Sequence, residues 1–556
     1  MEIKMNVKIQ ILSLFLSAII TSGFAQPGDA AKDLFLFTDR DFCVSGDTVW
    51  FKVELKNGES KSNVVHVQLT DADNHTIASV IKKCTGKWAE GYIPVPDSLS
   101  SGVCFLSAFL YEHLSASGLQ VEKKSLFVYN RFQRDLPELL IPSQKNERKE
   151  ITLGQQISIN PDKKNYTVRE KVTVNIGLGA IQPEEMAQVV VKASQVDELA
   201  RQAGGRFLAR SAASRMVIPH FQEKDGFILS GRVTKTGSDE SPEKAVVFLS
   251  LPENPRYLDY YVTANDGCFY FFLQNAVGVG EAVLQAISED DTELQAKIEI
   301  SMQKIQQPIS MQKQTLTQPQ IDFVNAMADA GLIKRLFQDE YTIPGQEFSM
   351  PERFSIPAYG YPQRAVNLDE FYELNDFREI SRELLGGVRF RTRDGTSTIR
   401  MLNWNENAYF DNEPFRLVNG IPVFKNRLFA SFGSTDIDRV EYTMEDRLFG
   451  DLRFPGILAL YLKETSNRWL IHQPNFSLLT VPFLQQQHTF EFQSQTVSQK
   501  NLPDLRSVFF WQLMETGTDQ KIDFSLSDQK GKVEITVEGA TRDGQMFKHS
   551  EIIEVK

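Results

Sequence analysis

Cysteine is scarce: the 556 residues contain only Cys43, Cys84, Cys104 and Cys268. Their spacing fits no metal-binding or redox pattern, which removes zinc modules and dithiol chemistry from consideration. Seven histidines, His66, His75, His113, His220, His472, His488 and His549, fall singly, with no His-Glu-x-x-His pair and no Cys–His cluster, so no metal site is expected. A Gly-x-Ser-x-Gly elbow, a phosphate loop and a dinucleotide fingerprint are also missing, and with them any foothold for nucleophilic or nucleotide chemistry. Positive charge is in deficit, 60 Lys and Arg against 72 Asp and Glu for a net charge of -12. No basic stripe stands out, so neither nucleic acid nor an anionic lipid surface is an expected partner of the chain as a whole. The carboxylate pairs Glu240 with Glu243 and Asp290 with Asp291 lie in polar turn segments and read as solvated loops. The chain is therefore expected to be non-enzymatic, without cofactor or metal.

Long apolar runs are lacking after the first 25 residues. Lys4 and Lys8 precede "IQILSLFLSAIITSGFA", which ends on Gly23 and Ala25 before Gln26, the pattern of a secretory signal peptide over 1–25. An anchor helix is disfavoured because the run is short and broken by Ser13, Ser17 and Thr21. No cysteine lies near the cleavage position, which excludes a lipid anchor attached there. An exported chain with no integral span after cleavage is expected, in the periplasm or associated with the outer membrane. In such a compartment one bridge among Cys43, Cys84 and Cys104 could form, although Cys43, Cys104 and Cys268 each lie in or beside an apolar run and a buried free thiol is the leading expectation.

What is present favours strands. The 39 Phe and 15 Tyr accompany alternating Val-rich runs of the kind that line pleated, half-buried surfaces. In "LFLFTDRDFCVSGDTVWFKVEL" (34–55) Val49, Phe51, Val53 and Leu55 alternate with Trp50, Lys52 and Glu54. Further strands at "NVVHVQLTDA", "GVCFLSAFLY" and "KKSLFVYN" predict a β-sandwich over 30–132. A second copy of the opening unit appears roughly 120 residues later in "ISINPDKKNYTVREKVTVNIGL", where Asp162, Lys163, Glu170 and Val172 answer Asp39, Arg40, Asp47 and Val49. It predicts a second sandwich over 150–222 with a helical insert in "SQVDELARQAGGRFLARSAASRM". "GFILSGRVTK" and "YYVTANDGCFYFFLQ" predict a small sandwich over 226–302. The Gln-rich 303–366 reads as a linker with one helix. "LDEFYELNDFREISRELL" puts Phe371, Leu374, Phe377, Ile380 and Leu384 on one helical face at the start of a small α/β unit over 367–466. A last β-sandwich is expected over 467–556. The fold class is thus mainly β: tandem Ig-like sandwiches plus one small α/β domain.

Three resemblances sharpen this reading. "TDRDFCVSGDTVWFK" resembles the opening of the second macroglobulin domain of the alpha-2-macroglobulin family, with Asp41 and Ser45 where that family has prolines. Gly231, Val233, Thr263, Asp266, Gly267 and Phe269 resemble the carboxypeptidase regulatory-like domain, an add-on module without catalysis. "PFRLVNGIPV" (414–423) and "DIDRVEY" (436–442), followed by Phe449-Gly450 and "GILALYLKE", resemble the plug domain of SusC-type TonB-dependent receptors. The remaining residues are too few for the several hundred that a receptor barrel needs. Together these resemble exported multidomain proteins of the Bacteroidetes type. They imply a barrel-less plug that binds a protein partner in the cell envelope, such as an outer-membrane receptor or complex, through a contact loop of Asn419, Gly420, Pro422, Asp436 and Asp438. The macroglobulin resemblance implies the alternative of a noncovalent protease inhibitor, because no cysteine is followed by the Gly-Glu-Gln of a thioester. A hydrolase with a site assembled from distant loops is a second alternative.

Overall fold

The computed structural model describes residues 34–55, 62–111, 120–134, 136, 138–143, 151, 156–182, 186, 188–210, 222–288, 294–297, 309–337, 347–351, 357–463, 476–488, 490, 503–542 and 544–556. The expected signal peptide lies outside them. The chain is mainly β, as composition and alternation predict. Its contacts divide it into two compact units, one within Ile228–Met302 and Glu347–Phe483, the other within Phe24–Phe227, Gln303–Gln346 and Leu484–Lys556. Among the described residues no helix is long and apolar enough to cross a membrane.

In the unit that includes Leu34, the first sandwich pairs Leu34–Thr38, Thr48–Leu55 and Trp88–Pro94 in one sheet. The facing sheet runs Arg206–Arg210, Gln120–Tyr129, Gly102–Phe109, Val64–Thr70, Thr76–Lys83. Val49, Phe51 and Val53 are fully buried between the two, as the alternation requires. Their opposite-facing neighbours are covered too: the Lys52 ammonium lies 4.2 Å above the Trp511 ring. The four cysteines are free and buried. Burial pushes the Cys84 and Cys104 thiols up to about 12, so both are inert at neutral pH.

The second sandwich corrects two boundaries. One sheet is Ser158–Pro161, Lys171–Gly177, Gln520–Ser525; the other is Asn165–Tyr166, Met546–Val555, Gly531–Ala540, Gln188–Gln195, Val508–Glu515. Lys171 to Ile176 pair with Ser525 to Gln520, and Gln188 to Ser194 with Glu515 to Val508. The segments drawn from sequence as separate sandwiches over 150–222 and 467–556 are therefore largely two halves of one domain, sharing a core of Val172, Val174, Val189, Val191, Ile522, Ile535 and Val537. Either half alone exposes the apolar face of its strands, and the other half covers it. The insert is corrected likewise. Among its described residues only Glu198–Ala203 is helical, N-capped by Asp197, and Arg206–Arg210 is an edge strand of the first sandwich.

The segment read as a linker is also packed. Met311–Thr315 pairs antiparallel with Glu138–Pro142, and the helix Gln318–Phe337 puts Val324 and Met327 into a core with Phe42, Phe127 and Tyr129. Lys334 reaches Asp47 at 2.7 Å.

The internal repeat survives at the level of single hydrogen bonds. Asp39 donates its N–H to Trp50 O at 3.1 Å, and its Oδ1 accepts the Trp50 N–H at 3.0 Å; Asp162 donates to Thr173 O at 2.9 Å and accepts the Thr173 N–H on Oδ1 at 3.0 Å. Arg40 reaches Asp47 at 3.5 Å as Lys163 reaches Glu170 at 2.5 Å, and Asp47 and Glu170 each accept an N–H three residues upstream, from Val44 and Thr167. Each clamp closes the segment between two paired strands, Leu34–Thr38 with Thr48–Leu55 and Ser158–Pro161 with Lys171–Gly177. The environments differ, however: Asp39 is fully buried whereas Asp162 is exposed. Burial raises the Asp39 pKa, with Arg40 opposing it. Asp39→Ala is accordingly expected to lose about 2 kcal/mol, because Arg40 stays buried with only Asp47 to face. Asp162→Ala should lose a small fraction of that, and equal losses in urea unfolding would contradict the burial argument.

The other unit combines a small sandwich with an α/β module. The sandwich packs Cys268–Gln274, Gly226–Lys235 and Leu294–Lys297 against Asn254–Val262, Ala245–Leu251, Val279–Ser288 and Phe476–Pro482. The module has a mixed sheet, Arg364–Asn367, Ile437–Phe449, Leu452–Leu462, Phe415–Val418, Ile421–Pro422, in which Phe415–Val418 runs parallel to Leu452–Leu462. A second sheet, Val388–Arg393, Thr396–Asn403, Ala408–Tyr409, shares its core with the helix Phe377–Glu383. That helix is shorter than the pattern predicts. Asp376 caps it by accepting the Glu379 N–H at 2.8 Å, so Phe371 falls outside it and is 44% exposed while Leu374, Phe377 and Ile380 are buried.

Candidate functional site

The loop predicted to make contact is mostly an internal seam. Asn419 and Gly420 sit at φ +49° and +78°, the left-handed backbone that a two-residue turn between Phe415–Val418 and Ile421–Pro422 requires. Asn419 donates its N–H to Leu460 O at 2.8 Å and accepts the Leu462 N–H on Oδ1 at 2.8 Å. A Cβ at Gly420 would stand 2.1 Å from the Pro255 carbonyl oxygen, and Pro422 O accepts from Gln285 at 2.9 Å. Phe248 packs beside Phe415, Leu417, Ile457 and Ala459, so the turn is pressed into the small sandwich. Asn419, Gly420 and Pro422 are buried; Asp436 and Asp438 are exposed, with Asp436 accepting the Gly433 N–H at 2.9 Å. The five residues do not form one surface. The apolar character of the turn is what draws it inward, a consequence that sequence likeness to a plug does not reveal.

What the α/β module does expose is aromatic and cationic. Tyr361 and Tyr372 are each 72% exposed and Trp404 is 58% exposed, with Phe371 close behind. The Arg364 guanidinium lies 5.5 Å over the Trp404 ring, and Arg389 lies 4.4 Å over Tyr409. The strand Val388–Arg393 alternates over its first four residues, with Val388 and Phe390 buried and Arg389 and Arg391 exposed, and Thr392 and Arg393 at its end are both exposed. In the partner strand Ile399 and Met401 are buried while Thr398 and Arg400 are exposed, and Arg389 is the register partner of Arg400. Sequence reading found no basic stripe. The signal was the two-residue period of "VRFRTR", hidden because the chain as a whole is acidic.

The titratable groups that converge elsewhere neutralise one another. Between the first and second sandwiches Lys192 contacts Asp41 at 3.0 Å and Glu538 at 3.7 Å, Lys124 contacts Asp41 at 3.3 Å, and Arg206 contacts Glu122 at 2.6 Å. Burial opposes charge on Asp41 and Glu538, but Lys192 and Lys124 outweigh it, holding Asp41 well below the usual range and Glu538 at about 2. Asp41, Lys124, Arg206 and Glu538 line a cavity of about 410 Å³ with Asp197, whose carboxyl burial pushes up to about 6 against the Tyr129 hydroxyl bond at 2.5 Å. Asp197 also caps the short helix through Leu199 N at 2.9 Å. With opposite charges paired throughout, this cluster is suited to joining two sandwiches. At the exposed turn after Val64–Thr70, Asp71, Asp73 and His75 bring donor atoms within 4.8 Å of one another. Asp71 already accepts the N–H groups of Asp73 and His75 and contacts the His75 ring, which accounts for the cluster as turn structure.

No protein-family model matches the chain, and no curated protein matches it. Solved structures that match over nearly the whole chain are bacterial alpha-2-macroglobulins. A mutant of the Salmonella protein is 9% identical, covering 98% of this chain and 41% of its own, at a TM-score of 0.23. The native Escherichia coli protein is 7% identical, covering 96% and 40%, at 0.22, and its trypsin-activated form 8% identical, covering 96% and 42%, at 0.22. The chain spans about two-fifths of the length of these structures. At these TM-scores the likeness carries no argument about function.

Proposed function

We propose that the chain is a non-enzymatic, exported cell-envelope protein whose β-sandwiches carry an α/β module that binds a protein partner. The module takes the place of a receptor plug without a barrel. The observation supporting this reading is the concentration of exposed large aromatics, Tyr361, Phe371, Tyr372 and Trp404, in the module. Burying such side chains at the surface of a partner is where interfaces gain most of their energy. The test is site-specific photo-crosslinking in the native envelope. A photoreactive residue at Tyr372 or Trp404 is expected to capture one discrete protein that the same residue at exposed Val168, in the other unit, does not. Capture that is equal at all three positions, or absent at all, would remove the module from partner binding.

A second reading, a noncovalent macroglobulin-like protease inhibitor, draws on the duplicated Asp39 and Asp162 clamps, which resemble tandem macroglobulin domains. Protection of substrates from a panel of proteases would favour it. No effect on any of them would exclude it.

A further inference from the structure

We propose that the outward face of the hairpin Val388–Arg393 and Thr396–Asn403 is a docking site for an extended acidic segment of the partner, with carboxylates at alternate residues. This rests on the partner-binding reading above and names the chemistry of that partner. Residues two apart on a strand point the same way about 6.6–6.8 Å apart, and directly opposed residues lie about 4.5–5.5 Å apart. Arg389, Arg391 and Arg393 with Arg400 across from Arg389 therefore form a grid of exposed guanidinium groups. Like charges directly opposite each other destabilise a strand pair. Folding does not call for them: the hairpin is held by buried Val388, Phe390, Ile399 and Met401 on its other face, and Thr396 and Thr398 occupy equivalent outward positions.

Among the described residues these charges go largely unanswered. Among the described residues no carboxylate lies within ion-pair reach of Arg389, Arg391 or Arg400; Arg393 reaches only its neighbour Asp394, at 3.7 Å with both side chains 93% exposed. An exposed pair of that kind contributes little. Every cation of the grid is Arg rather than Lys, and the planar guanidinium fork matches a carboxylate in two parallel hydrogen bonds. The Arg389 guanidinium carbon lies 4.4 Å from the Tyr409 ring centre, a cation–π contact that positions the group without using a carboxylate.

The geometry also narrows the occupant. Ser381 accepts the Phe390 N–H at 3.3 Å on one strand of the hairpin, and on the other Glu413 accepts the Ile399 N–H and Ser397 O accepts from Asn426, each at 3.0 Å; with these outward backbone groups taken, the occupant lies across the face rather than adding a strand. An extended chain presents alternate side chains at the same ~6.6–6.8 Å step as the arginines. Across from Arg391 and Arg393 the outward groups are Thr398 and Thr396, not the apolar side chains that membrane-docking faces set beside their cations to enter the headgroup region.

The experiment measures binding of the full protein to a labelled peptide with glutamate at every second position, by fluorescence anisotropy. A peptide of equal composition with its glutamates in one block is the comparison. The alternating peptide is expected to bind about tenfold tighter, and Arg389→Glu with Arg391→Glu should lose at least that factor. Arg400→Glu separates folding from binding: it sets an opposite charge across from Arg389, so its melting temperature should hold or rise while affinity falls about tenfold. A well-folded Arg400→Glu protein that binds undiminished overturns the proposal. So does retention of phosphatidylglycerol vesicles or a single-stranded oligonucleotide in preference to the peptide. Crosslinking from Trp404 that survives Arg389→Glu with Arg391→Glu overturns the acidic segment and leaves the module as the binding unit; loss of all module crosslinking in the unsubstituted protein removes the module itself.

Discussion

Replacing Lys192 with methionine is expected to lower the unfolding free energy of its unit by about 3–5 kcal/mol, since one partner of a buried ionic cluster is removed and the others stay buried. The Lys192 side chain is 1% exposed and stands between Asp41 on the first sandwich and Glu538 on the second. Burial alone would lower its pKa, yet Asp41 and Glu538 raise it above the ordinary value. Denaturant titrations should show the loss at pH 7. The pH dependence has a definite sign. The folded pKa of Glu538 is held at about 2, below its unfolded value of about 4.3, and that of Asp41 is held well below its own ordinary value. Their contribution is complete above the unfolded values and disappears as pH falls toward 2. In Lys192→Met Asp41 loses its principal cation and Glu538 one of the two that hold it down most, their folded pKa values rise, and the acid-unfolding midpoint should move to higher pH. An unchanged acid midpoint would show that the cluster does not join the sandwiches energetically.

Gly420→Ala is expected to destabilise the other unit by roughly 3 kcal/mol, combining left-handed backbone strain with overpacking. The added methyl would meet the Pro255 carbonyl oxygen at 2.1 Å, a backbone atom that cannot swing aside. Differential scanning calorimetry reads the effect directly. The same variant distinguishes the seam described here from a contact loop. If Gly420→Ala melts like the unsubstituted protein but no longer engages its partner, the turn is a binding element after all. A lowered melting temperature with normal engagement at low temperature identifies it as a joint.

The two variants probe different kinds of information in the chain. The Asp39 and Asp162 clamps were legible because each is local: the hydrogen bond to Trp50 or Thr173 spans 11 residues, and a repeated local motif repeats its residues. The alternation of Val49, Phe51 and Val53 was legible for the same reason, since strand period is a property of consecutive residues. Domain boundaries were not. Nothing in Lys171–Gly177 announces that its neighbour is Gln520–Ser525, because a strand edge recognises backbone groups, and any alternating strand can supply them. The resemblance to a plug likewise placed Asn419 and Gly420 in a turn, and the turn is there, but whether a turn faces solvent depends on what packs over it.

By itself the sequence determined the mainly β class, the duplicated opening unit, the burial of Phe51 and Val172, and the alternation that builds the arginine face. Tertiary structure alone decided that residues near 171 and 520 complete one sandwich, that Lys192 is neutralised by carboxylates from two domains, and that Asn419, Gly420 and Pro422 turn inward while Arg389 and Arg400 meet in the open. The physical reason is range. Period, propensity and turn chemistry act between neighbours in the chain, whereas burial and ion pairing are set by whichever distant segment covers a given face.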